Sequence, residues 1–469
     1  MSFLLTVGEC VHPLQATLLA ATTGESQAAP ADVEFTGVSI DTRTLKAGDL
    51  YIAIQGTRFN GHEFISAAIK AGAAAVLVHE DVQTSVPQLR VVNTQVALGQ
   101  LARYWAQAFE IPLVAVTGSN GKTTVKEIIA TILRQIGPVL ATHGNLNNEI
   151  GVPLTLLEMR EEHDYAVIEM GANHAGEIAR LVNIAQPDVA VITKIGEAHL
   201  EGFGSIEGIA NAKSEIYAGL SEHGYAVINA DDQFADQMFK AASHCHVRDF
   251  GQNPGADVQG VPGAGLKIKT MGQVIAPHFQ LSGEHNQMNA LAAVAAVQCL
   301  DVQMDSIILG LENVRAVPGR LEKKPGLNGA KLIDDSYNAN PDSARQAVDV
   351  LARYEGTRHL VLGDMAELGV DAEALHTKLG EYARQCGVDE LWTVGPLSSF
   401  AQKAFNDKSA AEVHHFTDQE ELIAAIKDQM TADMTVLVKG SRSARMERVV
   451  KALMLPTRSS STTVGEVSA

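Results

Sequence analysis

Along most of this chain, short apolar runs end in turn-forming residues and lead into stretches whose apolar positions recur three or four apart. Alternation of that kind predicts parallel strands covered by helices, an α/β protein. Residues 1–84 carry strand candidates at 38–40, 50–54 and 75–78 and a helical stretch at 64–71, which predicts a small mixed unit. A second segment, 85–314, has strand candidates at 113–116, 165–169, 189–193 and 225–229. A third, 315–457, has them at 331–333, 359–362, 391–394 and 435–438. Residues 458–469 are rich in Ser and Thr and are expected to fray as a tail.

The clearest helix follows Lys122. Val125, Ile128, Ile129, Ile132, Leu133 and Ile136 recur on one face before Gly137-Pro138 stops it. A chain of 469 residues exceeds what one hydrophobic core usually organises, which favours about three domains.

With 46% hydrophobic and 19% charged residues the chain can bury enough surface to fold, unlike a disordered sequence. Its 36 Lys and Arg against 55 Asp and Glu give a formal charge of −19, so no global field draws in nucleic acid. Anionic ligands must then be met by cations gathered at a site. Cys10, Cys245, Cys299 and Cys386 have no paired spacing, which argues against a disulfide framework or zinc site and fits a reducing cytoplasm. The first Lys or Arg is Arg43, so a signal peptide's basic start is missing, and no apolar run reaches the ~18 residues that span a bilayer. The expectation is a cytoplasmic monomer with no membrane span and no nucleic-acid partner.

The strand candidate at 113–116 runs into Thr117-Gly118-Ser119-Asn120-Gly121-Lys122-Thr123-Thr124 and then the amphipathic helix, the setting a phosphate loop requires. Gly118 and Gly121 let backbone N–H groups approach phosphate oxygens, and the helix N-terminus adds partial positive charge. Lys122 supplies a full cation, and the Thr123 hydroxyl can coordinate magnesium. Val116 stands where the usual G-x-x-x-x-G-K-[ST] pattern has its first glycine, which argues against a standard P-loop kinase.

Further motifs are spread over nearly the whole chain. They are Asn145-Leu146-Asn147-Asn148-Glu149-Ile150-Gly151-Val152-Pro153, Glu169-Met170-Gly171-Ala172, Gly196-Glu197-Ala198-His199-Leu200, Gly283-Glu284-His285-Asn286-Gln287-Met288-Asn289-Ala290, Pro318-Gly319-Arg320, Asp334-Asp335-Ser336-Tyr337-Asn338-Ala339-Asn340-Pro341 and Lys439-Gly440-Ser441-Arg442. With the phosphate loop, these resemble the Mur ligase family. The Asp334 segment and Val361-Leu362-Gly363-Asp364-Met365-Ala366-Glu367-Leu368-Gly369 look most like its dipeptide-adding members. The resemblance implies three domains: residues 1–84 holding the UDP end of the substrate, a central P-loop parallel-sheet ATPase at 85–314, and a C-terminal Rossmann-like domain at 315–457.

The resemblance also implies ATP and two magnesium ions as cofactors, and UDP-N-acetylmuramoyl-tripeptide and D-alanyl-D-alanine as partners. ATP would be held by Gly118, Ser119, Asn120, Gly121, Lys122, Thr123, Thr124, Asn286, Asn289, Arg320 and Asp335. For Asn286 and Asn289, capping of an Ala-rich helix from Ala290 is the competing reading. Asp335 ends a predicted strand, where a carboxylate can accept ribose hydroxyl bonds. Asp41-Thr42-Arg43 and Asn60-Gly61-His62 resemble segments that hold uridine diphosphate, although turn chemistry alone accounts for Asn60-Gly61. Asn145, Asn147 and Asn148 are read as substrate hydrogen-bonders, against a plain loop role.

Thr123, Glu169, His199 and Lys213 are the candidate metal ligands. A carboxylate suits magnesium, whereas chemistry alone makes His199 as readily a hydrogen-bonded loop histidine. Lys213 lies among Ile209, Ala210, Ile216, Tyr217 and Leu220, where a surface or snorkelling lysine is the ordinary reading. The resemblance implies instead a carbamylated, anionic Lys213. Catalysis would then fall to Lys122, Lys213, His199 and Arg320, through an acyl phosphate that an amine displaces. Rivals are a folylpolyglutamate synthetase-like ligase, against which the N-terminal domain speaks, and a P-loop nucleotide switch.

Overall fold

The computed structural model describes residues 3–22, 29–57, 59–406 and 414–456, so the expected tail at 458–469 lies outside the described residues. The chain divides into two compact units. The first takes in residues up to 196, 202–280 and 284–314, and the second takes in 197–201, 281–283 and the chain from 315 on.

Two of the first unit's sheets carry the expected strands. The smaller has the order Thr17–Leu19, Gln88–Arg90, Ala75–Val78, Asp49–Ile52, Gly37–Ser39 and is parallel apart from the first pair. All three strands expected in this segment are present, and the expected helix is Ile65–Lys70, entered through a 3-10 turn at Gly61–Phe64. Strand Gln88–Arg90 carries this sheet past the expected boundary at residue 84, because it pairs with Ala75–Val78.

The larger sheet places Leu113–Thr117 between Tyr165–Glu169 and Val189–Ile192. Val139–Ala141 lies beyond the former, and Tyr225–Asn229, His246–Gly251 and Val258–Gly260 beyond the latter, all parallel. An antiparallel pair, Ile268–Thr270 and Gln273–Ile275, ends it. Val114, Ala115 and Val116 are fully buried, which is why this strand reads as an unbroken apolar run rather than an alternation. Later strands flank it on both sides, so the connections leave in opposite directions and open a crevice at its C-terminal end.

Helix Lys122–Leu133 packs on this sheet through Val125, Ile128, Ile129, Ile132 and Leu133, all fully buried and worth about 1.5–3 kcal/mol each. It ends at Leu133, so Ile136 falls in the following turn and is 41% exposed rather than part of the buried face. Helices Glu284–Gln298 and Met304–Asn313 pack against it, the former also lying on the strands from Val189–Ile192 to Val258–Gly260. A methyl group on Gly310 would come within 2.5 Å of Ile132 Cα, so that crossing requires glycine.

In the second unit the sheet order is Glu322–Pro325, Lys331–Asp335, Met434–Lys439, Thr357–Gly363, Glu390–Val394, His414–Phe416, parallel apart from the first pair. Ala344, Val348 and Leu379 belong to one buried cluster, and Leu422, Ile426 and Val449 to another, so helices cover the sheet on both faces. No helix among the described residues is long and apolar enough to cross a membrane. All four cysteines are free thiols.

Candidate active site

The phosphate loop leaves Leu113–Thr117 at the crevice. Gly118 has φ +148°, and a Cβ there would lie 1.9 Å from Thr193 Oγ1. Gly121 has φ +83°, and a Cβ there would lie 2.4 Å from Asn289 Oδ1. Both glycines are required by conformation and by space. The loop is tied to the next strand, as Ser119 N donates to Lys194 O at 2.8 Å and Thr193 Oγ1 donates to Asn120 O at 2.5 Å. Ser119 Oγ donates to Gly196 O at 2.8 Å. Lys122 Nζ folds back to donate to Gly118 O at 2.8 Å, which places its charge over the loop.

Asn286 and Asn289 lie inside helix Glu284–Gln298, two and five residues past its first residue, so capping does not explain them. Asn289 Nδ2 donates to Asn286 Oδ1 at 3.1 Å. Their amides therefore meet beside Gly121.

Glu169 ends the strand next to the loop-bearing one and is 2% exposed. Its Oε1 accepts from Asn147 Nδ2 at 2.8 Å, while Oε2 is buried and has no hydrogen-bond partner. A buried carboxylate oxygen left without a donor is costly unless a cation meets it, so Glu169 fits a divalent ion. Among the described residues no three His, Cys, Asp or Glu side chains converge as a metal cluster. Any ion there would draw on other donors, such as the Thr123 hydroxyl on the buried side of the first helical turn.

Lys213 corrects its ordinary reading. It is 1% exposed in the last turn of helix Ile206–Ser214, with Nζ 5.7 Å from the centre of the Phe203 ring. Burial, and then the charge of Lys122, lower its pKa from 10.5 to about 7, against the pull of Glu177 and Glu215. Burial thus favours the neutral amine.

The three loop asparagines separate. Asn147 is engaged with Glu169, and Asn148 Oδ1 accepts from Gly151 N at 2.8 Å, at the start of helix Gly151–Leu157. Asn145 is exposed. Asp41 and Arg43 pair with each other, with Nη2 to Oδ2 at 2.5 Å, and the guanidinium holds the Asp41 carboxyl down to about 2. Asn60 Oδ1 accepts from His62 N at 3.1 Å and meets His62 Nδ1 at 3.0 Å. His62 Nε2 accepts from His79 N, so the proton of the neutral ring sits on Nδ1. A Cβ on Gly61 would lie 2.7 Å from Ile54 N, so this stretch is a tight turn by construction.

In the second unit, Arg320 follows Gly319, φ +73°, and its guanidinium lies 4.4 Å from the centre of the Tyr337 ring. Asp335 is 8% exposed; its Oδ1 accepts from Leu321 N at 3.1 Å and its Oδ2 from Lys439 Nζ at 2.5 Å. The carboxylate expected to face a ribose is thus already bound twice, bracing the turn that carries Arg320. His199, with φ +57°, belongs to this unit, where Nδ1 lies 2.5 Å from Glu367 Oε2. It is therefore grouped with residues other than Glu169.

Lys126, Thr193 and Lys439 were not among the expected site residues. Lys126 is 1% exposed and donates from Nζ to Thr142 O at 2.8 Å, holding the start of the asparagine loop. A lysine on the apolar face of an amphipathic helix was the available signal.

Three family models match the chain: the Mur ligase family catalytic domain at 34–106, the Mur ligase middle domain at 116–297, and the Mur ligase glutamate ligase domain at 319–442. The UDP-N-acetylmuramoyl-tripeptide–D-alanyl-D-alanine ligase of Escherichia coli strain K12 is 43% identical, over 92% of this chain and 96% of its own. Its Haemophilus influenzae counterpart is 39% identical, over 90% and 94%. Among solved structures, MurF from Acinetobacter baumannii superposes with a TM-score of 0.89 at 35% identity, covering 96% of this chain and 99% of its own. MurF from Thermotoga maritima in complex with ADP gives 0.80 at 30%, covering 89% and 96%. A folylpolyglutamate synthase from Mycobacterium tuberculosis gives 0.61 at 18%, a likeness of fold alone. Matches running from residue 34 to residue 442, and a relative 43% identical over 92% of this chain, show that the chain belongs to the Mur ligase family.

Proposed function

We propose that this chain joins D-alanyl-D-alanine to UDP-N-acetylmuramoyl-tripeptide at the expense of ATP, giving the pentapeptide precursor of peptidoglycan. The observation that carries this reading is the phosphate loop with Lys122 over it, in a chain similar over 92% of its length to a ligase of that name. Residues 1–84 would take the UDP end, 85–314 the ATP, and 315–457 would supply Arg320. The enzyme is read as a cytoplasmic monomer.

A carboxylate and an amine do not condense until one carboxylate oxygen becomes a leaving group, and transfer of the γ-phosphoryl group makes it one. The chain must neutralise charge while two anions meet and must align them. Lys122 stands over the phosphate loop for the first task, and Arg320 is assigned to the γ-phosphate. Asn286 and Asn289 are assigned to adenine, Asp335 to the ribose, Asp41, Thr42, Arg43 and the turn at Asn60 to the uridine diphosphate, and Asn145 to the peptide. Magnesium, with Thr123, Glu169 and a carbamylated Lys213 as its ligands, would supply further positive charge at the phosphates. The carbamate forms when the neutral Lys213 amine adds to carbon dioxide. The nitrogen lone pair makes the new N–C bond, one C=O π pair moves onto oxygen, and one of the two protons on the now positively charged nitrogen leaves to solvent.

A phosphate-release assay tests the function. Release that needs both the UDP-linked tripeptide and D-alanyl-D-alanine supports the reading. Release driven by a folate and glutamate, or by nucleotide alone, would replace it with one of the rivals.

A further inference from the structure

The asparagine loop was expected to spend all its amides on substrate. In the structure Asn147 turns inward instead. Its Nδ2 donates to Glu169 Oε1 at 2.8 Å, and its own carbonyl accepts from Gly171 N at 2.7 Å, so one residue grips both the side chain of Glu169 and the chain two residues on. Gly171 sits close against it, as a Cβ there would lie 3.0 Å from Asn147 Cγ. Glu169 is held from the other side as well, since its N–H donates to Thr142 Oγ1 at 2.9 Å. The carbonyl of Thr142 is in turn held by the buried Lys126 at 2.8 Å.

The result is a carboxylate with one oxygen committed and the other, Oε2, buried and unpartnered. A free carboxylate can rotate to offer either oxygen, and an amide donor on Oε1 removes that freedom. Outer hydrogen bonds of this kind orient metal-ligating carboxylates and hold them ready.

We propose that Asn147 is a positioning residue, whose amide fixes Glu169 so that Oε2 is presented to a divalent cation, and that it does not bind substrate. This rests on the reading of Glu169 as a metal ligand given above.

The probe is Mn2+ binding, measured by calorimetry on the full chain with a non-hydrolysable ATP analogue and no turnover. Asn147→Ala should weaken Mn2+ binding about 10–100-fold and leave the KM for the UDP-linked tripeptide within about threefold. In a Glu169→Gln background the same change should add nothing to the loss of Mn2+ affinity, because the two residues act as one. The Gly171 bond uses the Asn147 main chain and survives the substitution. Asn147→Ser, which keeps a short donor, should recover part of the affinity and covers the case of a poorly folded alanine variant. Unchanged Mn2+ affinity with a raised tripeptide KM, or losses that add in the double variant, would overturn the proposal. If Glu169→Gln alone leaves Mn2+ binding intact, the metal reading of Glu169 fails first and the role of Asn147 fails with it.

Discussion

Lys439 Nζ lies 2.5 Å from Asp335 Oδ2, with the two residues 2% and 8% exposed at matching positions of adjacent parallel strands. Burial pushes the Asp335 carboxyl up while the Lys439 ammonium pulls it down. Removing one partner strands the other charge, so Lys439→Met should destabilise the protein by about 3–5 kcal/mol. Adding Asp335→Asn should recover a substantial part. Denaturant melts of the wild type and the two variants check this, and a mild single variant would show that water already reaches the pair.

Lys122→Ala should abolish ligation and spare the fold. The side chain lies over Gly118 O and fills no core cavity, so the loss should be at least about 10²–10³ in kcat/KM, with little change in Tm. Near-normal turnover by a well-folded variant would remove Lys122 from the phosphate site.

Lys213 makes stability depend on pH in a definite direction. Its pKa falls from 10.5 to about 7 on burial, so between those values the unfolded chain binds the extra proton. Stability should therefore rise from about pH 7 towards pH 10.5, by a few kcal/mol in total. Buried thiols oppose this, since burial raises Cys10 to about 12, and the informative quantity is the difference between wild type and Lys213→Met. Melts in metal-free buffer purged of carbon dioxide read it; parallel curves would mean that the amine titrates normally.

If the same amine becomes a carbamate, Lys213→Ala should lose about 10²–10³ in rate. Lys213→Arg should do no better, because a guanidinium cannot become an anionic ligand. Small carboxylates added to the alanine variant should restore some turnover. An active arginine variant rules the carbamate out.

Arg43→Ala should raise the KM for the UDP-linked substrate well above any change in that for ATP. It should also let the Asp41 carboxyl, now held at about 2, rise towards the ordinary range, which NMR titration reads. Equal effects on both KM values would detach this segment from the nucleotide sugar.

The central strands of the two larger sheets were legible because they are buried on both faces and so are written as compact apolar runs, as at Leu113–Thr117 and Tyr165–Glu169. Short or half-exposed strands such as Val139–Ala141 and Gln273–Ile275 lack that signature and were not foreseen. The phosphate loop was legible because glycines and a lysine at fixed spacing are dictated by local geometry. The partners of the loop asparagines were not, since whether Asn147 meets Glu169 or a ligand depends on residues 22 positions apart in the chain. Asp335 and Lys439, 104 positions apart, are hidden in the same way.

The strand that bears the phosphate loop is early in sequence and central in space, and this sets an order of assembly. A ribosome that has released residues 113–124 has made the loop but none of its supports. Glu169 and Thr193 follow some fifty and seventy residues later, and Asn289, which abuts Gly121, later still. Nascent chains cut short of Thr193 should therefore have no affinity for nucleotide. ATP cannot act as an early template for folding this enzyme and can only reward a first unit that is already complete.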